Sequence, residues 1–485
     1  MKRRLFLSGV AATAALPACA GAPETSARPV VRPEDIVTRA ASAASRQRVA
    51  AAQLGGHVGF LVADARTGEP LESLNPLRPQ PPASVAKAIT ALYALETLGP
   101  GHRFETRLVA TGPIDGGRLN GDLVLVGGGD PALDSDGLHS LASQAREAGI
   151  TEVTGSLLVY DGALPRIERI DRSQPDHVGY NPAVSGLNLN FNRVHFQWRR
   201  SGSSYSTTLD GRTERFRPDV TTSTIRIADR SVPVYTYERT GDLDSWTVAR
   251  RQLGDSGARW LPVRNPALYG GDVLRTMLRA NGIVASAPRR IRTMPQGRVV
   301  ARDQGATLDR VSRSMLRWST NLTAEALGLS STVARGIKPG SLDESGDLMS
   351  RWLAARADAR RTDFDDHSGL NGTTRISASD MVKALTAPRV EAQLRPVLRE
   401  LSVGDGSPIR VYAKTGTLNF VSGLAGYFPS RSGRMLAFAT FCADVDRRDG
   451  LSVGQRERPE GGRSWSRRAR SLQFDLIERW AAAYA

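Results

Sequence analysis

Ser84 and Lys87 stand three residues apart at the start of a segment that reads as a helix, so both project from the same side of its first turn. A serine hydroxyl is a weak nucleophile, and a nearby amine can take its proton once burial has disfavoured the amine's own charge. The competing reading makes Ser84 a helix N-cap and Lys87 a solvated surface residue. Against it, a capping box would place Glu or Gln at the third position, not Lys. Lysine is also scarce: Lys2, Lys87, Lys338, Lys383 and Lys414 are the five in a pool of 65 basic residues. Arginine cannot be deprotonated, so a chain that otherwise writes arginine keeps lysine where a guanidinium would fail. Lys87 is one such place and Lys414 is a second candidate.

The elements that must position these groups follow from periodicity and punctuation. Pro81 and Pro82 hold the helix entry extended, Gly99-Pro100 stops it near Leu98, and Val85, Ile89, Leu92 and Leu95 form its apolar face. A helix over 33–53 and a hairpin of strands over 57–63 and 70–74 precede it. From residue 99 to about 264 the texture changes to short strands and many glycines. One strand over 118–126 ends in Gly127-Gly128-Gly129-Asp130-Pro131, and another over 155–160 delivers Asp161. A further strand carries Asn188, Asn190 and Asn192 on one face. Helical patterns return at 267–280 and 308–316, the latter running into Ser319-Thr320-Asn321 and another helix through Leu329. A strand over 409–413 ends in Lys414-Thr415-Gly416-Thr417, and two antiparallel strands over 424–428 and 434–442 follow. The arginine-rich stretch 447–470 reads as a solvated loop, and a helix bearing Leu472, Leu476 and Trp480 closes the chain.

Bulk composition narrows the classes. At 485 residues the chain exceeds what one hydrophobic core usually supports. The formal charge of +16 invites a nucleic-acid partner, but the arginines are scattered and no nucleic-acid module is present. Two cysteines, Cys19 and Cys442, make neither a disulfide framework nor a zinc site. There is no His-Glu-x-x-His and no Gly-x-Ser-x-Gly, so metal hydrolysis and serine–histidine catalysis lack their usual signatures. Residues 1–20 read as an export signal, with Lys2-Arg3-Arg4 ahead of an apolar run and a resemblance to a twin-arginine leader in Arg3-Arg4-Leu5-Phe6-Leu7. Ala18-Cys19-Ala20 suits cleavage, while Leu16-Pro17-Ala18-Cys19 resembles a lipoprotein box that would anchor the protein to a membrane through Cys19. Residues 21–34 form a flexible tether. The protein is thus expected in the periplasm or cell envelope.

Three elements stand in order: Ser84-x-x-Lys87, Ser319-x-Asn321 and Lys414-Thr415-Gly416. As a set they resemble the active-site signature of penicillin-binding proteins and serine β-lactamases. The long insert between the first two is similar to that of the class C low-molecular-mass penicillin-binding proteins, which are D-alanyl-D-alanine carboxypeptidases and endopeptidases. Gly128-Gly129-Asp130-Pro131, Asn188-x-Asn190 and Asp366-x-Ser368-Gly369-Leu370 are similar to further landmarks of that family.

The resemblance implies an α/β fold: a transpeptidase-like domain of antiparallel sheet flanked by helices, over 35–98 and 265–485. A β-rich module over 99–264, in two subdomains, would be inserted in it. It implies that Ser84 attacks the carbonyl of the penultimate D-alanine with Lys87 as base. Ser319 would relay a proton to the leaving amine, and Asn321 would orient Lys87 and the substrate amide. Backbone N–H groups of Ser84 and Thr417 would form the oxyanion hole. Lys414, Thr415 and Thr417 would hold the peptide's C-terminal carboxylate, Gly416 would allow close approach, and Asn419 and Asp161 would be further substrate contacts. Peptidoglycan stem peptides and β-lactams are the expected partners, with no cofactor and no metal. This sequence departs from the pattern where Leu164 replaces an expected phenylalanine, and where Gly372 replaces an arginine, with Arg375 three residues on. Two rivals share the motifs: a β-lactamase, which lacks here a Glu-x-x-Leu-Asn element after Ser319, and a non-catalytic peptidoglycan-binding module.

Overall fold

The helix that carries Lys87 in its first turn is sealed in by apolar side chains: every residue from Ala86 to Leu95 is buried in the element Ala86–Leu98. The computed structural model describes residues 41–404 and 407–485. The export signal, the tether and Cys19 lie outside them, as does the first part of the helix expected over 33–53, which is seen as Ala43–Ala51. Among the described residues no helix is long and apolar enough to cross a membrane.

Six antiparallel strands build the sheet beside this helix, in the order Arg399–Ser402, Arg410–Leu418, Val421–Pro429, Met435–Ala443, His57–Asp64, Pro70–Leu74. The hairpin expected near the N-terminus therefore completes a sheet begun almost four hundred residues later, with Phe60 opposite Thr440. Its central strands are buried on both faces, which is why they read as continuous apolar runs rather than alternating ones. One face carries the helix Gly462–Ala483, whose Trp465, Leu472, Leu476 and Trp480 pack on Phe60, Leu424 and Phe438. Against the other lie the helix Ala378–Thr386 and the short turn Ala83–Val85 that presents Ser84. This is the antiparallel sheet flanked by helices that the resemblance implied.

The second half of the architecture is a five-stranded sheet in the order Arg289–Ile291, Leu157–Tyr160, Leu123–Val126, Arg103–Ala110, Arg298–Thr307, with three three-stranded sheets around it. All four contribute to one apolar core, running from Leu108 through Trp246 to Ala301. Pairing thus crosses the boundary expected at residue 264: Arg103–Ala110 pairs with Arg298–Thr307, and the helix Pro266–Ala280 adds Tyr269, Val273 and Met277 to the same core. The helical period at 267–280 was legible, but not the core it serves.

Two local expectations are corrected. The strand over 118–126 is two, Arg118–Leu119 and Leu123–Val126, broken at Gly121. Asn188, Asn190 and Asn192 do not alternate on a strand. Asn190, Phe191 and Asn192 take left-handed φ of 50°, 56° and 50° in a tight turn, a conformation asparagine tolerates better than most residues. Their amides replace backbone partners: Asn188 Oδ1 accepts from Ser185 N, Asn192 Oδ1 from Leu189 N, and Asn190 Nδ2 donates to Gly211 O and Tyr269 Oη. They hold the module's core together.

Candidate active site

Ser84 sits in the turn Ala83–Val85, directly before the helix Ala86–Leu98, and is half-buried at the base of a cleft of about 1010 Å³. The residue before it is forced: Ala83 has φ of 49°, left-handed backbone at a non-glycine position beside the nucleophile. Two glycines let other segments close on this turn. A Cβ on Gly416 would lie 2.3 Å from Pro82 O, and one on Gly369 would lie 1.9 Å from Ala83 O. Gly416 therefore makes room for the serine turn itself.

Lys87 is fully buried, and its Nζ lies 2.9 Å from Ser84 Oγ, 2.7 Å from Asn321 Oδ1 and 2.7 Å from Ser368 O. Two of these partners are carbonyl oxygens, which can only accept. A neutral amine has two N–H groups for them and a lone pair left for the serine proton. Burial lowers the Lys87 pKa to about 8, opposed by the carboxylates of Asp366 and Glu325. Lys414 is also buried, donating to Ser319 Oγ at 3.1 Å and Thr415 O at 2.7 Å. Burial pushes its pKa well below the usual lysine value, and the charges of Lys87 and Arg399 push it the same way.

Ser319 is the left-handed residue (φ 59°, ψ 38°) that ends the helix Leu308–Trp318 before Asn321–Ala334 begins. The helix junction expected at Ser319-x-Asn321 is there. Its Thr320 N-cap adds no side-chain bond, so capping does not explain the serine. Asn321 spans the two halves of the molecule, with Oδ1 on Lys87 and Nδ2 donating to Tyr180 O at 2.9 Å.

The sequence-derived residues divide by place. Ser84, Ser319, Asn321, Thr417 and Asn419 line the cleft, with Asn419 Nδ2 donating to Arg456 O. Lys87 and Lys414 lie beneath it. Thr415 is exposed and does not line the cleft, and what it offers the site is its carbonyl, taken by Lys414. Asp161 is 2% exposed and is not among the lining residues; its Oδ1 binds Arg290 Nε at 2.8 Å, while its Oδ2 has no partner among the described residues.

The sequence marked Asp366 and Ser368 as part of a turn, but did not show that this turn and Glu325 stand behind Lys87. Asp366 accepts from Gly369 N, Asn371 N and Thr374 Oγ1, folding the turn that aims Ser368 O at Lys87. An Asp-x-Ser-Gly string is the signal for such a turn. Glu325 is fully buried and accepts from His367 N at 2.9 Å. Burial raises its pKa and Asp366 raises it further. The stretch 447–470, expected as loop, is helical at both ends, in Val445–Asp449 and the start of Gly462–Ala483, and six of its arginines line the cleft. Among the described residues no group of three or more histidine, cysteine or acidic side chains is arranged to hold a metal.

The chain is similar to known proteins. A D-alanyl-D-alanine carboxypeptidase of Actinomadura sp. is 27% identical over 427 residues, covering 79% of this chain and 77% of its own. The D-alanyl-D-alanine carboxypeptidase DacB of Haemophilus influenzae is 23% identical over 459 residues, covering 87% and 90%. The crystal structure of penicillin binding protein 4 (dacB) from Haemophilus influenzae has the same fold, with a TM-score of 0.73 at 19% identity, over 90% of this chain and 99% of that one. The model of the D-Ala-D-Ala carboxypeptidase 3 (S13) family matches residues 42–456. With its fold and most of its length matched, the chain belongs to the D-Ala-D-Ala carboxypeptidase 3 (S13) family.

Proposed function

We propose that the protein is a serine D-Ala-D-Ala carboxypeptidase of the bacterial cell envelope, working through an acyl-enzyme on Ser84. The observation that carries this reading is the buried Lys87 amine, with two carbonyl acceptors and the Ser84 hydroxyl as its partners. Ser84 Oγ bonds to the carbonyl carbon of the penultimate D-alanine as its proton passes to Lys87 Nζ. The C–N bond then breaks, and the terminal D-alanine leaves with a proton delivered through Ser319. Water, activated the same way, opens the ester and restores the serine. N–H groups of Ser84 and Thr417, both at the cleft, stabilise the oxyanion.

Lys414 acts from behind Ser319 rather than from the cleft wall. Among the described residues it has no carboxylate to keep it charged, whereas Lys87 has Asp366 and Glu325. The carboxylate of an arriving peptide, held by Thr417 and Ser319, restores the charge on Lys414. That charge then disfavours a proton on Lys87, so binding primes the base. The module crossing residue 264 extends on this reading over 99–307, and its Tyr180 carbonyl fixes Asn321. The test is a fluorescent penicillin with the adduct mapped by mass spectrometry. A single adduct on Ser84 is expected; an adduct elsewhere, or none, overturns the assignment.

A further inference from the structure

The cleft above Ser84 has one strongly charged wall. Six of its lining residues are arginines (Arg448, Arg456, Arg458, Arg463, Arg467 and Arg470), and one, Glu457, is acidic. That one is engaged elsewhere, 3.4 Å from His177 Nε2 and 3.6 Å from Arg259. Arg463, Arg467 and Arg470 recur at helical spacing on Gly462–Ala483 and form a single stripe, while Trp465, Ala469 and Leu472 on the opposite side are buried in the core. The helix is thus held by one face and presents guanidinium groups to the cleft with the other.

Arg448 pairs with Asp449 at 3.2 Å and Arg456 donates to Ser173 O, but the other four have no counter-ion among the described residues. Among the described residues, Arg458, Arg463, Arg467 and Arg470 make no ion pair and no side-chain hydrogen bond. Arg468, on another side of the same helix, does bond, to Ala52 O and Gln53 O. Like charges three and four residues apart on a helix repel, so the stripe destabilises the empty protein slightly and gains only when an anion lies on it. A guanidinium favours carboxylates, which its planar fork can bind with two parallel hydrogen bonds.

We propose that this wall is a binding subsite for an acidic peptide, one bearing free carboxylates in addition to that of its terminal D-alanine. The inference rests on the peptidase reading above and specifies its substrate. Lys414 meets the carboxylate at the scissile end, and the arginine stripe meets carboxylates along the remainder of a peptidoglycan stem peptide. Peptides in which those carboxylates are amidated lose the subsite, because an amide brings no charge to it.

The experiment uses the full-length triple variant Arg463→Gln/Arg467→Gln/Arg470→Gln; all three positions are exposed and glutamine is a good helix former. Two synthetic peptides ending in D-Ala-D-Ala are compared, one with free side carboxylates and one with them amidated. Binding is measured by calorimetry in a Ser84→Ala background, so that it does not depend on turnover. In the otherwise unaltered Ser84→Ala protein the free-acid peptide should bind about tenfold tighter than the amidated one, three exposed ion pairs of ordinary strength giving that factor. The advantage should fall steeply as salt rises, and the triple variant should abolish it. Equal affinity for the two peptides at low salt, or a preference that survives in a triple variant of unaltered melting temperature, overturns the proposal. A polyphosphate that displaces an amidated peptide but not the free-acid one does the same, since the wall would then serve another anion. If the free-acid preference is present but the active enzyme releases no D-alanine, the subsite stands and the peptidase reading fails.

Discussion

Replacing Lys87 by arginine separates a base from a charge. With a pKa near 8, about one Lys87 in ten is neutral at pH 7. A guanidinium at that pH is neutral in roughly one molecule in 10⁵ to 10⁶. The supply of free base thus falls about 10⁴-fold or more, and the loss levels off where uncatalysed proton transfer takes over, about 10² to 10⁴ below wild type. Shape adds to the effect. The amine is fully buried among acceptors 2.7, 2.7 and 2.9 Å away, and the longer fork cannot keep all three contacts. The assay is the second-order rate of Ser84 acylation by a chromogenic penicillin, beside Lys87→Ala and a melting curve for each. Lys87→Arg should be as slow as Lys87→Ala. Acylation by Lys87→Arg within tenfold of wild type at pH 7 would show that the site needs a cation there, and the neutral-base account would be wrong.

Four further outcomes follow from the same geometry. Acylation should rise about tenfold per pH unit below 8 and level off above it, because the proton that must be absent from Lys87 is lost near that pH; a rate flat from pH 6 to 9 would contradict this. The same shift means that the unfolded chain keeps its Lys87 proton up to its ordinary value of 10.5, so from pH 8 to 10.5 this group's contribution to folding stability rises with pH. Gly369→Ala should destabilise by about 1–3 kcal/mol and slow acylation, since its φ is 70° and the new Cβ would meet Ala83 O; an unchanged melting temperature would show that the turn relaxes freely. Penicillin should give a burst of one equivalent and then slow release, because Glu325, the carboxyl following Asn321 along the chain, is buried on His367 N and does not line the cleft; sustained rapid hydrolysis would make the protein a β-lactamase.

What could be read in the sequence was local. Ser84 and Lys87 share one helical turn, Ser319 and Asn321 one helix junction, and Lys414 to Thr417 one strand, so their spacing already fixed their relation. The hairpin over 57–74 and the antiparallel pair over 424–442 followed from apolar runs bounded by turns, while the motif order carried the resemblance that implied the whole sheet. What escaped depended on contacts across hundreds of residues. Nothing near Asp161 announces Arg290, and nothing near Glu325 announces Lys87 or His367. That the helix over 267–280 shares a core with the segment before residue 264 was not legible, because a helix's period tells which face is apolar, not which core receives it. The arginines of 447–470 were read as solvated because charge runs usually are; here Trp465 and Leu472 pin one face of their helix and turn the other to the cleft.

The central claim is that Ser84 opens the D-Ala-D-Ala bond and is regenerated. The most direct measurement is D-alanine released by purified protein from a peptide ending in D-Ala-D-Ala, followed over many equivalents, for wild type and Ser84→Ala. The account predicts sustained release of one D-alanine per peptide by wild type, and none above background from Ser84→Ala at an unaltered melting temperature. Release by Ser84→Ala at the wild-type rate, or none by a wild-type protein that still binds the peptide, would contradict it.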